Sequence, residues 1–236
     1  MTITPNSVLI VIPARAGSKG VIDKNLRSVA GIPLVARSVR TALQVNAKCV
    51  VTVSTDSDAI AEVSASEGAV VLRRPASIAG DTASSESAVL DVLQQLTGAD
   101  KSVLPGFTIM LQCTSPFTAA EDIQSAIREL QRFDSVFTAT TDHSFIWRVG
   151  DQGLATPLNH DITSPRKRRQ DLDEVVRETG AVYGFRTRGF LREKMRFFGK
   201  VGIIRVPSLR AFEIDTNEDL ECAQQLAPLL SASGRM

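Results

Sequence analysis

Residues 8–25 read VLIVIPARAGSKGVIDKN, and their order decides the architecture of the chain. Val8 to Pro13 is an unbroken apolar, largely β-branched run closed by proline, the pattern of a strand buried on both faces. A polar, glycine-bearing segment from Arg15 to Asn25 follows it directly. In an open α/β sheet, the loop beyond the carboxyl end of the first strand is a place where ligands bind. Gly17 and Gly20 allow backbone N–H groups to approach an anion, while Arg15, Lys19 and Lys24 bring three cations within ten residues. The loop has neither the GxxxxGK[ST] nor the GxGxxG spacing, so a phosphate cradle here belongs to a different type. A solvated basic turn has the same composition, and the residues alone leave the two readings level.

Working outward, short apolar runs alternate with segments of helical period, which predicts βα units around a mainly parallel sheet. Pro33 opens a helix with Leu34, Val35, Ser38, Val39 and Ala42 on one face. Cys49 to Val53 is a second strand, and Ser54 to Asp58 supplies capping residues for the next helix. Ala69 to Leu72 is a third strand, followed by the polar connection RRPASIAGDTASSES. Then come a helix carrying Ala88, Leu90 to Leu93 and Leu96, a strand from Thr108 to Leu111 ending at Gln112, a helix from Glu121 to Leu130, and a strand from Ser135 to Ala139. The segment 142–173 breaks the rhythm with turn residues, two prolines and the run Arg166-Lys167-Arg168-Arg169, and reads as an inserted arm or lid outside the sheet. Strands at Ala181 to Phe185 and Gly202 to Val206 and a helix from about Asn217 to Leu230 complete a single domain over 1–236.

Composition bounds the function. The chain has 236 residues, 43% apolar and 22% charged, inside the globular range and unlike a disordered chain. A net charge of +1 gives no global field to attract a polyanion, which disfavours nucleic acid as a partner. Cys49, Cys113 and Cys222 show no metal-ligand spacing, and a reducing cytoplasm is the simplest compartment. There is no basic n-region before the first apolar run and no stretch near 18 apolar residues, so neither a signal peptide nor a membrane span is expected. Two histidines, His143 and His160, argue against chemistry resting on a histidine cluster.

Five ordered motifs carry a resemblance: IPARAGSKG with KN; VSTDSDAIAEVSASEGAVVLRRPASIAGDTASSES; LQCTSPF; RRQ with TGAVY; and EIDTNEDL. At these spacings, from Val8 to about Leu226, the sequence resembles the acylneuraminate cytidylyltransferases, which activate sialic-acid-like sugars as their CMP derivatives. The resemblance implies a Rossmann-like, three-layer αβα nucleotidyltransferase fold in which 142–173 is a dimerisation arm crossing to a partner copy. It implies CTP and a nonulosonic sugar acid as substrates, Mg²⁺ as cofactor and a homodimer as the assembly.

The same resemblance distributes roles. Arg15, Lys19 and Lys24 bind the triphosphate and stabilise the leaving pyrophosphate, and Gly17, Ser18, Asn25, Arg74, Ser85 and Gln112 hold the nucleotide. Gln112 also reaches the sugar, since an amide offers both a donor and an acceptor. Arg169, Arg177, Tyr183 and Phe197 fall on sugar-pocket positions, with Arg169 suited to a carboxylate and Phe197 one residue out of register. Asp215 and Glu213, alternating at a strand end, direct two carboxylates to one side and suit Mg²⁺; relatives commonly carry Asp where Glu213 stands. Simpler roles exist for several of these residues: Ser84 or Ser85 as a helix cap, Asp215 as the cap of the last helix, Tyr183 as core, and Arg166 to Arg168 as a solvated face. Cys113 reads as packing. Two departures stand out: Ile22 in place of a usual proline implies a slightly different loop shape, and Ser144, Phe145 and Trp147 where a His-Pro is common imply an arm that accepts a different nonulosonic acid. A Kdo, sugar-phosphate or phosphonate acceptor is the nearest alternative function, and a non-catalytic nucleotide-binding module a more distant one.

Overall fold

In a computed structural model, residues 4–98 and 104–232 are described; the outermost ends of the expected 1–236 domain lie outside them. The run that opens the sequence analysis is strand β1 (Val8–Pro13), and it is the centre of the molecule. Its odd and even residues serve different layers. Val8, Ile10 and Ile12 pack with helices α1 (Leu34–Leu43), α4 (Ala120–Glu129) and α6 (Asn217–Ala232), whereas Leu9 and Val11 pack with α3 (Ser85–Thr97) and α5 (Thr187–Glu193). Side chains alternate across a strand, so an all-apolar strand requires a helical layer on each face. The result is the three-layer αβα arrangement. Helix α2 (Asp58–Ser66) joins the first layer through Ile60 and is capped by Ser57, whose hydroxyl accepts from the Ile60 N–H at 3.3 Å.

The sheet has seven strands in the order β11-β7-β10-β6-β1-β4-β5. Strands β4 (Cys49–Thr55) and β6 (Phe107–Leu111) flank β1 in parallel, and β5 (Val70–Arg73) continues beyond β4. The chain moves from β1 to β4 and β5 on one side and then returns to β6 on the other. The loop after β1 therefore lies at the reversal of strand order, the place where an open α/β sheet leaves a crevice. Beyond β6, β10 (Val175–Arg186) runs antiparallel to both β6 and β7 (Ser135–Asp142), and β11 (Val201–Arg205) is parallel to β7.

The expected strands and helices are present, with three differences. Strand β10 begins at Val175, six residues before the expected strand, because Val175 to Glu178 pair with Asp142 to Ala139 on the arm side of a bulge. Helix α5 and the short hairpin β2 (Ser28–Val29) with β3 (Ile32–Pro33) carry too few apolar residues for periodicity to mark them. The arm leaves the sheet at Asp142 and returns at Val175, which are directly paired, and it holds its own two-stranded ribbon, β8 (Trp147–Val149) with β9 (Ala155–Pro157). It stands outside the main sheet, as its composition implies.

Candidate active site

The loop after β1 is held open by polar bonds to distant segments. The Ala16 N–H donates to Asp56 Oδ1 at 2.8 Å, just past the end of β4. Asn25, buried, donates from Nδ2 to the Arg15 carbonyl at 3.0 Å and closes the loop on itself. Gly17 has φ +69°, and Gly20 lies so close to the Asp215 carbonyl that a Cβ there would collide with it. Gly20 is thus the point where the loop meets the segment before α6.

Each of the three cations is paired. Arg15 and Lys19 reach opposite oxygens of Asp81, at 3.0 and 2.9 Å. The two cations hold the Asp81 carboxyl below its usual range. Lys24, with its side chain only 11% exposed, donates to the Ile214 carbonyl at 2.8 Å and to Asp215 Oδ1 at 3.0 Å. Ser18 sits half-buried within the same loop. The loop thus orients its three cations toward the carboxylates of Asp81 and Asp215.

Arg74 follows β5 and is buried, with Nε donating to Ser54 Oγ at 3.1 Å and Nη2 to the Ser54 carbonyl at 2.8 Å. Burial lowers its pKa, with the nearby charge of Asp56 opposing and that of Arg15 reinforcing, so Arg74 belongs to the same electrostatic group. Ser84, not Ser85, caps α3: its hydroxyl accepts from the Ser87 N–H at 3.1 Å. That leaves Ser85, half-buried at the first helical position, without the capping role. Gln112 directly follows β6, its N–H bonded to the Ala181 carbonyl at 2.9 Å, so its side chain starts from a fixed place at the carboxyl end of that strand. Cys113 beside it is buried and its thiol is pushed up to about 12 by burial, which makes it inert packing.

The segment carrying Glu213 and Asp215 is a correction to the sequence reading. It is not a strand end but an irregular connection between β11 and α6. Glu213 is half-buried, accepts from Thr114 Oγ1 at 3.3 Å and packs against Gly180, where φ is +68°. Burial raises its pKa, and the neighbouring Asp215 charge raises it further. Asp215 is exposed and paired with Lys24. It is not the cap of α6: Thr216 and Asp219 perform that role reciprocally, with the Thr216 N–H on Asp219 Oδ2 at 2.8 Å and the Asp219 N–H on Thr216 Oγ1 at 3.2 Å. The two neighbouring carboxylates thus sit in unlike environments, Glu213 half-buried and Asp215 exposed. Among the described residues, no cluster of three or more acidic, histidine or cysteine side chains could hold a metal by itself.

On β10, Arg177 points its Nε toward Asp142 at 3.9 Å and its charge reaches Glu213. Tyr183 is buried, with its hydroxyl donating to Glu178 at 2.9 Å, and burial together with Glu178 pushes its phenol up to about 12. Phe197 meets Tyr183 and Phe137 edge-on, at centroid distances of 6.0 and 5.3 Å. Tyr183 thus belongs to the core on the α3 side, and Phe197 lies against it on the exposed side. Arg169 lies exposed in a single turn, 169–171, of the arm. At the root of the arm a cavity of about 770 Å³ opens between Asp142, Phe145, Trp147, His160 and Arg166. Sequence reasoning missed Asp56, Asp81, Glu86 and Arg196, polar residues whose partners lie far away in the chain, and Glu178, whose partner Tyr183 is five residues on; Asp81 and Glu86 were legible only as members of the polar stretch before α3.

A seven-stranded αβα sheet with a cation-bearing loop at its strand-order reversal defines an open, doubly wound α/β protein. The chain belongs to the cytidylyltransferase family, whose sequence profile matches residues 9–230. It is 30% identical over 220 residues to N-acylneuraminate cytidylyltransferase A of Danio rerio, covering 91% of this chain and 49% of that protein. It is 33% identical over 223 residues to N-acylneuraminate cytidylyltransferase of Oncorhynchus mykiss, covering 92% and 50%. The chain spans about half the length of these curated relatives. In fold it resembles a CMP:2-keto-3-deoxy-manno-octonic acid synthetase complexed with CTP, at a TM-score of 0.67, 18% identity and coverage of 94% and 99%. It is equally similar to 4-diphosphocytidyl-2C-methyl-D-erythritol synthase of Anaerococcus prevotii, at a TM-score of 0.67 and 16% identity.

Proposed function

We infer that the protein transfers CMP from CTP to the anomeric hydroxyl of a nonulosonic sugar acid, with release of pyrophosphate. The acceptor oxygen attacks the α-phosphorus, the bond from that phosphorus to the bridging oxygen breaks, pyrophosphate departs and the hydroxyl proton passes to solvent. The observation that carries the reading is the convergence of Arg15, Lys19 and Lys24 with Asp215 at the strand-order reversal of a cytidylyltransferase-family chain. Such a reaction asks for alignment and charge stabilisation more than for covalent chemistry.

Arg15, Lys19 and Lys24 neutralise the triphosphate once Asp81 and Asp215 release them. Asn25 supports the loop, Gly17 and Ser18 offer it to the phosphates, and Arg74, Ser85 and Gln112 hold the nucleotide. Gln112, Arg177, Tyr183 and Phe197 align the acid. Asp215 and Glu213 would hold Mg²⁺, which supplies charge neutralisation at the phosphates when bound. Arg169 belongs to this site by way of a second copy, whose arm would bring it in; exposed Val149, Leu154 and Ile162 along the arm support such a homodimer. Three free thiols fit a reducing, cytoplasmic setting, and among the described residues no helix is long and apolar enough to cross a membrane.

The test is to incubate the protein with CTP, Mg²⁺ and sialic, Kdn, legionaminic and pseudaminic acids and Kdo, and to measure pyrophosphate. Release with a nine-carbon acid is expected. Release only with Kdo moves the acceptor to the eight-carbon class, and silence with every acid overturns the reading.

A further inference from the structure

On the α3 side of the sheet, four ionisable side chains from three segments form one chain of bonds. The Tyr183 hydroxyl donates to Glu178 Oε2 at 2.9 Å. The Arg196 guanidinium lies over the Tyr183 ring, 4.6 Å from its centroid. Arg196 Nε in turn donates to Glu86 Oε1 at 2.5 Å, in the first turn of α3 and one residue beyond Ser85. Phe197, next in the chain to Arg196, closes edge-on against the same ring. None of Glu86, Glu178 and Arg196 has a role in the reaction as described above.

This pair is not a surface ion pair. The Arg196 and Glu86 side chains are 23% and 15% exposed, so removing one partner strands a largely desolvated charge. A guanidinium that commits one edge to a carboxylate and its face to a ring has little freedom left. It passes that constraint to the two rings beside it. A wall fixed before the ligand arrives has less entropy to lose when the ligand binds.

We propose that Arg196, anchored by Glu86, is a positioning residue that fixes Tyr183 and Phe197 as the wall against which the acceptor acid is aligned; this rests on the function inferred above. The triphosphate loop and Arg74 lie outside the chain of bonds and Ser85 precedes Glu86 without joining it, so nucleotide binding is affected less than acceptor binding. The consequence is a selective one: the acceptor, more than CTP, feels the loss of Arg196.

The experiment compares the wild type with Arg196→Met, Arg196→Lys and Glu86→Gln, using full chains, CTP, Mg²⁺ and the acid turned over best in the panel above. Arg196→Met is expected to raise the acceptor KM about tenfold while the CTP KM stays within about twofold. Arg196→Lys keeps the charge without the fork and falls between the two. The chain has a single tyrosine, so ring-labelled tyrosine gives one NMR signal, that of Tyr183. The acid shifts that signal in the wild type, shifts it less in Arg196→Met at equal concentration, and CTP alone leaves it in place. A folded Arg196→Met with the wild-type acceptor KM, or with both KM values raised alike, overturns the assignment. If Arg196→Met does not fold, Arg196→Lys and Glu86→Gln decide by the same two readouts. A wild type that releases no pyrophosphate with any acid and whose tyrosine signal no acid moves overturns the inferred function and this assignment with it; an active wild type with unaltered variants overturns this assignment alone.

Discussion

The loop after β1 and the arm between β7 and β10 are both polar, cation-bearing connections, and composition treats them alike. They differ in what holds them. In the loop, Ala16 is tied to Asp56, and Lys24 to Ile214 and Asp215 at the far end of the chain. In the arm the bonds are local: Asp161 gathers Thr163 and Ser164, Arg168 pairs with Asp171, and Asn159 spans back to Ser144 and Ile146. Cations fixed by distant segments form a site whose geometry depends on the whole fold. Cations fixed by their neighbours leave a segment that can be altered without unfolding the sheet.

The largest expected effect lies in the loop. Asp215→Ala removes the partner of Lys24 and half of the proposed metal pair, and turnover should fall by about 100-fold or more. Its melting curve should stay near that of the wild type, since the lost pair is largely exposed on the Asp215 side. Unchanged pyrophosphate release would remove Asp215 from the site.

Replacing the arm, residues 143–174, by a short glycine-serine turn comes next. Because Asp142 and Val175 are already paired, the substitution only shortens a hairpin, and the sheet should fold with its circular dichroism intact. Sedimentation should then report a monomer, and the acceptor KM should rise about tenfold. A dimer that survives the replacement would put the subunit contact elsewhere.

A smaller effect sharpens the contrast. Asp81 occupies Arg15 and Lys19 in competition with a triphosphate, so Asp81→Asn should tighten CTP binding, by about threefold given the exposure of the pair. Calorimetry without acceptor measures it, and weaker binding would instead make Asp81 a support of the loop.

The smallest effect is a pH dependence at the Arg196 anchor. Burial pushes the Glu86 carboxyl up, but the hydrogen bond and charge of Arg196 with the local backbone amide win and hold it below its ordinary 4.5. A depressed carboxyl stabilises the fold above the unfolded pKa and loses that contribution as pH falls through the folded one. The stability gap between the wild type and Glu86→Gln should therefore be constant near neutrality and close below about pH 4.5 in denaturant titrations.

Much of this was legible in the chain. The apolar run at β1, the alternation of strands and helices, and the place of the loop follow from period and polarity, which are local properties. Arg15, Lys24 and Asp215 were legible as types in a pattern. What was not legible is pairing at a distance: that Asp81 answers Arg15 and Lys19, that Glu86 answers Arg196, and that Glu213 leaves the strand geometry its alternation suggested. Strand β10 was read short because its first residues, Val175 to Glu178, become a strand only by pairing with the extended end of β7. Helix propensity marked the capping region of α3 correctly but could not choose between Ser84 and Ser85, since the choice depends on which hydroxyl meets the Ser87 N–H.

The ring cluster in the arm has an optical consequence. Trp147 is the only tryptophan in the chain, and His160 stands edge-on to it at 4.8 Å while also touching Phe145. Emission excited at the red edge of protein absorption thus originates in the arm alone. An unlabelled sample carries a built-in lamp for events there, with the loop after β1 dark in the same channel.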